Sequence, residues 1–379
     1  MQDTYFVQIQ ARRILKCLHN RDYTNLSVCP SYLLYTDEPN FWEAFGEMHS
    51  LFERFYTQAA EAPKELSLPM YAADIVGYGE ILKGLHPLLD LPITLFAIGV
   101  ASVWENNTLT VNVAEFKQVC KDLRCKNYTN PINWLAENGF TFTVWNGKTF
   151  GTKNKTFTLD YPDNPDLLIV LSVICNKLEK YMQSKAFVKG TRRAHNAWGL
   201  GQFVFLDPHI YADDIGELPP VKLNHLLGIA NERYRNLICE IVDRFTQRGF
   251  GIHYSINPHG NSSCEVFDKK GKDTLNCIRL IDTIDGEGEE AIHFRLKLNH
   301  PDKYINKVEA LPPHLKERFE KVWCQNCAEK CNRKIKYTLD GTAKVACGCD
   351  VFIFINPQIT DLDILLNLFD AEQVARAQK

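Results

Sequence analysis

Five of the chain's 13 cysteines fall within residues 323–350, and this clustering constrains the fold more than any other feature of the sequence. They are Cys324, Cys327, Cys331, Cys347 and Cys349. A C-x2-C spacing lets two thiolates of one turn reach the same metal ion, and the later C-x-C pair supplies a second set of ligands. The segment therefore predicts a structural Zn2+ site that ties the last quarter of the chain together. Incidental free thiols and redox or iron–sulfur chemistry are the alternatives.

The number of cysteines also bears on what such a metal would do. Tetrahedral zinc takes four ligands, so five cysteines leave open which four bind the ion. A site made of four thiolates has no coordination position for a catalytic water, which argues against a zinc hydrolase. Its negative charge would be offset by nearby basic side chains. These are Lys321, Lys330, Arg333, Lys334 and Lys336.

Further residues around the cluster complete a pattern. They are Leu311-Pro312-Pro313, Tyr337, Asp340-Gly341 and Phe352-Ile353-Phe354, together with the cysteines. Over residues 290–370 this pattern resembles the carboxyl-terminal domain of a broad set of uncharacterised bacterial cytoplasmic proteins. In some of them three residues separate the late cysteines, whereas one residue separates them here, which leaves open whether Cys349 is a ligand. The resemblance implies the metal site and a bacterial cytoplasm, and no established activity.

Composition is that of an ordinary globular protein, with 45% apolar and 23% charged residues. The formal net charge of −3 gives no overall attraction to nucleic acid or anionic membranes. The amino terminus lacks the apolar core of a secretory signal, and the longest apolar run, Leu88–Trp104, is interrupted by Asp90 and Pro92. We interpret that run as a buried helix, because it is too short to span a membrane. A cytoplasmic protein with no membrane association is expected.

Residues 1–200 predict a mainly helical domain with a winged-helix-like unit at about 112–160. An apolar helical face runs through 113–123, and Pro131 opens a second helix that ends at Asn138-Gly139. Two strand-like segments follow, at 140–145 and 149–159, with a hairpin turn at Asn146-Gly147 between them. Helix, turn, helix and hairpin is the order of a winged-helix module, for which DNA or a protein is the expected partner.

Basic side chains are concentrated in this part of the chain. Residues 115–200 contain 13 Lys or Arg against 7 Asp or Glu, a local net charge of +6. The candidate nucleic-acid contacts lie on the predicted wing and in a second basic group after it. They are Lys148, Lys153, Lys155, Lys189, Arg192 and Arg193. The predicted recognition helix, 130–138, contains Glu137 and no Lys or Arg, so a solvated basic face is the competing interpretation.

Residues 201–379 predict an α+β domain. A clean amphipathic helix begins near 226, and four strand candidates follow at 251–257, 264–268, 276–284 and 291–298. Short turns between them imply an antiparallel meander with the helix across one face. The zinc module is expected at about 313–369, with a hairpin at Asp340-Gly341. The predicted fold class is thus α+β in two parts, a mostly helical domain with a winged-helix-like unit and then a helix plus antiparallel-sheet domain with a zinc-stapled module.

These features favour a non-enzymatic regulatory or interaction protein over an enzyme. One alternative is a nucleic-acid-binding transcriptional regulator that uses the winged-helix-like unit. The other is an enzyme or small-molecule sensor with a pocket between the domains, near His253 and His293. Cys264 and His259 have the residue types of a nucleophile pair, but Cys264 begins an apolar run, which favours a buried thiol. The sequence identifies no substrate, no named partner and no catalytic residue.

Overall fold

The computed structural model of the chain describes residues 6–18, 26–70, 78–123, 125, 127–151, 153–183, 206, 208–212, 222–255, 262–267, 274–282, 290–320, 334–347 and 352–378. The chain divides into two compact units, 1–220 with 257–260 and 221–256 with 261–379. This division falls after Pro220, whereas the sequence-based boundary was drawn after residue 200. Helices occur together with small sheets whose strands all pair antiparallel, so the predicted α+β class is confirmed.

The first unit combines helices with a small antiparallel sheet. Its described helices are α1 (Phe6–Leu18), α2 (Glu38–Glu61), α3 (Tyr78–Val100), α4 (Val113–Asp122), α5 (Thr129–Glu137) and α6 (Asp166–Gln183), with short 3-10 turns at Pro30–Tyr32 and Pro208–Tyr211. Its strands are β1 (Ser102–Glu105), β2 (Thr108–Asn112), β3 (Thr141–Phe142) and β4 (Thr156–Asp160). They pair in the order β1-β2-β4-β3, so the last strand lies between β2 and β3.

Helix α2 supplies much of the core of this unit. It begins where the Asp37 carboxylate accepts a hydrogen bond from Asn40 N, at 2.9 Å, which satisfies an otherwise unpaired amide of the first turn. The apolar face that the sequence predicted is buried throughout. Its members are Phe41, Phe45, Met48, Leu51, Phe52 and Phe55. Each such side chain contributes about 1.5–3 kcal/mol on burial, which fixes this face of α2 inward.

The interpretation of Leu88–Trp104 as one helix is wrong at its carboxyl end. Helix α3 ends at Val100, and Trp104 lies in β1, paired with Leu109 of β2. The two strands are joined by Asn106 and Asn107, which both have positive φ, at 50° and 61°. Asparagine tolerates this left-handed conformation, and a pair of such residues makes the tight turn that matches strand twist. Among the described residues, no helix is long and apolar enough to cross a membrane.

After β4 the chain is fastened to α2. The Tyr161 hydroxyl donates to Glu47 Oε1 at 2.5 Å, and Asn164 Nδ2 donates to Glu47 Oε2 at 3.1 Å. Burial, and then the Glu47 carboxylate, raise the pKa of Tyr161 to about 12, so the phenol remains a donor at neutral pH. Helix α6 then packs closely against α3 at Gly99. A larger residue does not fit at this position, because its Cβ would overlap the side chain of Cys175.

The second unit is a meander with helices packed on it. Its described helices are α7 (Leu223–Ile229), α8 (Glu232–Gln247), α9 (Ile305–Glu309), α10 (Pro313–Glu320) and α11 (Leu362–Ala377). Its strands are β5 (Gly251–Ser255), β6 (Ser262–Phe267), β7 (Thr274–Asp282), β8 (Glu290–Leu296), β9 (Lys334–Leu339), β10 (Thr342–Cys347) and β11 (Phe352–Ile355). One sheet has the order β11-β8-β7-β6-β5 with antiparallel pairs, which confirms the predicted meander and adds β11 beyond β8.

Helices α8 and α11 meet over this sheet. Phe245 of α8 lies with its ring centroid 6.4 Å from Phe294 of β8 and 5.1 Å from Phe369 of α11. Strands β9 and β10 form a separate hairpin, in which Leu339 pairs with Thr342. Its turn residues, Asp340 and Gly341, have positive φ of 47° and 75°, so the hairpin predicted at this dipeptide is confirmed.

Candidate functional site

The loop between β3 and β4 carries three of the predicted contact residues, Lys148, Lys153 and Lys155. We call residues 143–155 the wing, of which all but residue 152 are described. Its turn lies where the sequence predicted it, since Asn146 Oδ1 accepts from the amides of Lys148 and Thr149 at 3.0 and 2.8 Å. The flanking strands are much shorter than the predicted 140–145 and 149–159. Val144 has φ of 56°, a conformation that interrupts extended pairing.

Aromatic packing holds the wing onto the unit beneath it. Phe150 is fully buried and stacks on Phe157 of β4, with ring centroids 4.0 Å apart. Its other contacts are the Phe116 ring of α4, edge-on at 5.9 Å, and the Trp145 ring at 4.7 Å. Such pairs contribute about 0.5–1.5 kcal/mol each beyond the burial of their area. The wing is therefore a packed loop, with Phe150 buried in the core and Lys148, Lys153 and Lys155 exposed.

Helix α5 fixes the wing from the side, through Asn133. The Asn133 amide donates from Nδ2 to Gly147 O at 3.1 Å, and its Oδ1 accepts from Trp145 Nε1 at 2.9 Å. Thr129 Oγ1, one turn earlier, donates to Lys148 O at 3.4 Å. Both functional groups of the Asn133 amide are thus used by the wing, and the wing and α5 form one assembly.

The next residue on α5 fixes that helix to α2. Trp134 is buried, and its Nε1 donates to Gln58 Oε1 at 2.8 Å. Its ring meets Phe55 edge-on, with centroids 5.1 Å apart. One side of α5 is therefore committed to the wing and another to α2. Since 129–137 contains no Lys or Arg, the helix offers no cationic side chain for a nucleic acid.

The wing itself carries uncompensated positive charge. Lys148, Lys153 and Lys155 are exposed, and the wing sequence contains no Asp or Glu. None of the three forms an ion pair with a carboxylate in the described part of the chain. The carbonyl of Lys155 accepts from Val113 N at 3.0 Å, which joins the end of the wing to the start of α4. Three predicted contact residues thus share one exposed, anchored loop.

The remaining predicted site residues lie mostly outside the described residues. These are Lys189, Arg192 and Arg193 of the second basic group, and Cys324, Cys327, Cys331 and Cys349 of the predicted zinc site. Cys347 is described in its backbone only, as the last residue of β10. Within the ranges given above, no group of three or more His, Cys, Asp or Glu side chains is arranged to hold a metal ion.

The two histidines suggested for an enzyme pocket lie on different strands of the large sheet. His253 is on β5 and His293 is on β8, with β6 and β7 between them. Three strand spacings correspond to about 14 Å, so the sheet does not place the two histidines side by side. His259 and the side chain of Cys264 lie outside the described residues, so neither the expected buried thiol nor a pairing with His259 is tested.

Comparisons with known proteins found no relative of this chain. The chain matches no protein-family model, and no curated protein and no solved structure matches it. The role of the site therefore rests on its own geometry. In that geometry the residues that sequence reasoning missed are Asn133, Trp134 and Gln58, because the Trp134–Gln58 contact joins positions 76 apart in the chain. No local pattern indicates such a contact.

Proposed function

We propose that the protein is a non-enzymatic regulatory or interaction protein whose winged-helix-like unit, at about 112–160, binds the phosphate backbone of nucleic acid through its wing. The order of elements supports this proposal. Strand β2 precedes α4 and α5, the short strand β3 and the wing follow, and β4 returns between β2 and β3. A winged-helix module has the same succession of helix pair, wing and returning strand.

The observation that carries the proposal is the set of three exposed lysines on an anchored loop. Lysine ammonium groups attract phosphates as point charges, and the wing presents three of them without a competing carboxylate. Because Asn133 and Phe150 already hold the loop, binding orders little additional backbone. Phosphate contacts position a protein but carry no sequence information, so we expect binding that is nearly independent of base sequence.

The test is a salt titration with the full-length chain and a short DNA duplex. The wing variant carries Lys148→Gln, Lys153→Gln and Lys155→Gln. Each phosphate contact contributes about −0.9 to the slope of log K against log salt, so this variant reduces the slope by up to roughly 3. The matched control carries Lys64→Gln, Lys303→Gln and Lys307→Gln, three exposed lysines that are not part of the wing, with the same change in net charge.

Two outcomes would overturn the wing as the contact surface. One is an absence of measurable affinity for duplex DNA at about 50 mM salt, where electrostatic binding is strong. The other is a control variant that loses as much slope as the wing variant, because the attraction would then follow net charge alone. A normal slope in the control together with a reduced slope in the wing variant supports the proposal.

We also propose that the clustered cysteines hold one structural zinc ion in a bacterial cytoplasmic protein. The register of the β9–β10 hairpin supports convergence of the two cysteine groups. Cys347, which ends β10, pairs with Lys334, which begins β9. Cys331 precedes Lys334 by three residues, a chain length of about 10 Å at most. The late cysteines and Cys331 are therefore attached to the same end of one ribbon.

A zinc assay on purified protein tests this site, with each clustered cysteine changed in turn to serine. Structural zinc contributes about 10 kcal/mol or more of apparent binding energy, so loss of a ligand lowers zinc content and the melting temperature together. Cys239→Ser, on α8 and outside the cluster, is the control. Four variants that lose the metal and one that keeps it would identify the ligand set. Full zinc retention by Cys347→Ser and Cys324→Ser would contradict the convergence of both groups.

A further inference from the structure

A cavity of about 300 Å³ lies on the side of α5 that faces α2 and α3. We call it the Trp134 cavity, because that indole forms part of its wall. The segment after α2, residues 65–69, covers it, and the first turn of α5 with Asn127 completes the rim. All of these residues belong to the first unit. The volume is at the lower end of the range for small-molecule sites, so any ligand has few heavy atoms.

Acidic and amide groups supply the polar part of the lining. The carboxylates are Glu65, Asp90 and Glu137, and the described lining residues include no Lys, Arg or His. Asp90 is a buried lining residue, only 4% exposed, whereas Glu65 and Glu137 are exposed. A concave surface with carboxylates of one sign concentrates a negative potential, because its walls have a low dielectric constant. Such a cavity attracts cations and disfavours anions.

The apolar part of the lining is aromatic and aliphatic. Phe55 and Trp134 meet edge to face and are both more than nine-tenths buried, and Leu66 and Leu68 lie in the covering segment. The indole is held in place because Gln58 accepts from Trp134 Nε1 and donates from Nε2 to Glu65 Oε2 at 3.2 Å. An ammonium group beside an aromatic ring gains cation–π attraction, which increases when the cation is desolvated. An aromatic and aliphatic wall provides no ligand atoms for a bare metal ion, so it favours an organic cation.

We propose that the Trp134 cavity binds a small organic cation, with its ammonium group near the carboxylates and its hydrocarbon part against Phe55 and Trp134. The pairing of a buried carboxylate with fixed aromatic rings carries this assignment, since each part alone would accept other ligands. This inference goes beyond nucleic-acid binding by the wing and does not depend on it. It assigns a binding site to the first unit that the sequence pattern did not indicate.

The test is calorimetric titration of the full-length protein with n-butylammonium and with tetramethylammonium, in the absence of nucleic acid. The neutral comparison is n-butanol, which has nearly the same size and shape as n-butylammonium and no charge. We expect saturable binding of at least one of the cations in the millimolar range or tighter. The alcohol should bind at least about tenfold more weakly, because only the cation gains from the carboxylates and from the ring faces.

Variants at the two exposed carboxylates separate this site from general surface binding. Glu65→Gln and Glu137→Gln are changes at exposed positions, and each should weaken cation binding by about 2- to 5-fold, as exposed charge pairs do. The matched control is Glu61→Gln, at the end of α2 and exposed, which does not line the cavity. Its affinity should equal that of the wild type.

Three results would overturn the proposal. These are no saturable binding of either cation, equal binding of n-butanol and n-butylammonium, or the same loss of affinity in Glu61→Gln as in the variants at 65 and 137. Glu65 also accepts from Gln58, which holds the Trp134 indole, so Glu137→Gln, at an exposed position of α5, is the variant whose loss of affinity decides the matter. Neither change should unfold the protein. A circular dichroism melt on each variant checks this, with an unchanged melting temperature expected.

Discussion

Asn133 in the first unit and Glu372 in the second each anchor a distant segment of the chain to a helix, one through a neutral amide and the other through a carboxylate. Asn133 uses a half-buried neutral amide to bind the wing at two points. Glu372, on α11, is fully buried and ionisable. Its Oε1 accepts from His300 Nδ1 and Arg376 Nε, at 3.0 and 2.8 Å, and its Oε2 accepts from His300 N and the Tyr304 hydroxyl, at 3.0 and 2.9 Å. Each residue fastens a distant segment of chain to a helix.

The difference between them lies in what replaces the side chain when it is lost. Water can reach the groups around Asn133, because the wing tip is exposed, so the partners can be solvated in its absence. Around Glu372 the Tyr304 hydroxyl is also buried, and removing the carboxylate leaves charged and polar donors without an acceptor. We therefore expect Glu372 to control the stability of its whole unit, and Asn133 to control the order of one loop.

The largest expected effect is that of Glu372→Gln. This change keeps the size of the side chain but removes the charge that balances Arg376, and it leaves buried donors poorly satisfied. Breaking a buried pair in this way costs about 3 kcal/mol or more of unfolding free energy. Urea denaturation followed by far-ultraviolet circular dichroism measures this loss in the full-length protein.

An exposed carboxylate on the same helix is the control for that experiment. Asp363 forms an ion pair with Arg244, but its side chain is 76% exposed, and such pairs contribute little. Asp363→Asn should change the unfolding free energy by about 0.5 kcal/mol or less. If Glu372→Gln were equally mild, the contrast between a buried and a solvated anchor would fail for this protein.

The pH dependence of stability should show the same contrast with a smaller effect. Burial alone would raise the pKa of Glu372, but hydrogen bonds from Arg376, His300 and Tyr304 outweigh it and lower that pKa below its ordinary value. The unfolded carboxyl then binds its proton at a higher pH than the folded one, so acid favours unfolding. The stabilising contribution is complete above the unfolded-state pKa of about 4.3 and is lost as the pH falls through the lower folded value.

Denaturation midpoints at a series of pH values between about 2 and 6 measure this contribution. The wild type should lose stability more steeply with acid than Glu372→Gln, because glutamine does not titrate. All other carboxylates are common to both proteins, so the difference between the two curves isolates Glu372. Parallel curves would show that its folded and unfolded pKa values are equal, against the lowered pKa.

Local signals in the sequence were enough for several elements but not for either anchor. The buried face of α2, the meander and the turn at Asp340-Gly341 follow from periodicity and turn residues that lie close together in the chain. The β1–β2 hairpin was missed because Trp104 continues an apolar run, and only the Asn106-Asn107 turn marks the break. Both anchors depend on folded geometry that periodicity does not show, and Glu372 meets His300 across 72 positions.

Asn133→Ala has the smallest expected effect on global stability and a clear local one. Removing the amide deletes two hydrogen bonds to the wing, each worth about 0.5–1.5 kcal/mol, so the wing opens more often while Phe150 and the core remain packed. Limited trypsin digestion reports this directly, because Lys148, Lys153 and Lys155 are cleavage sites within the wing. Cleavage there, identified by fragment mass, should become roughly tenfold faster, which corresponds to a loss of about 1.4 kcal/mol of unfolding free energy. Asn130→Ala on the same helix is the control, since no hydrogen bond joins that side chain to the described residues of the wing and its cleavage rate should match the wild type. Equal acceleration in both variants would mean that α5 as a whole, rather than the Asn133 amide, holds the loop.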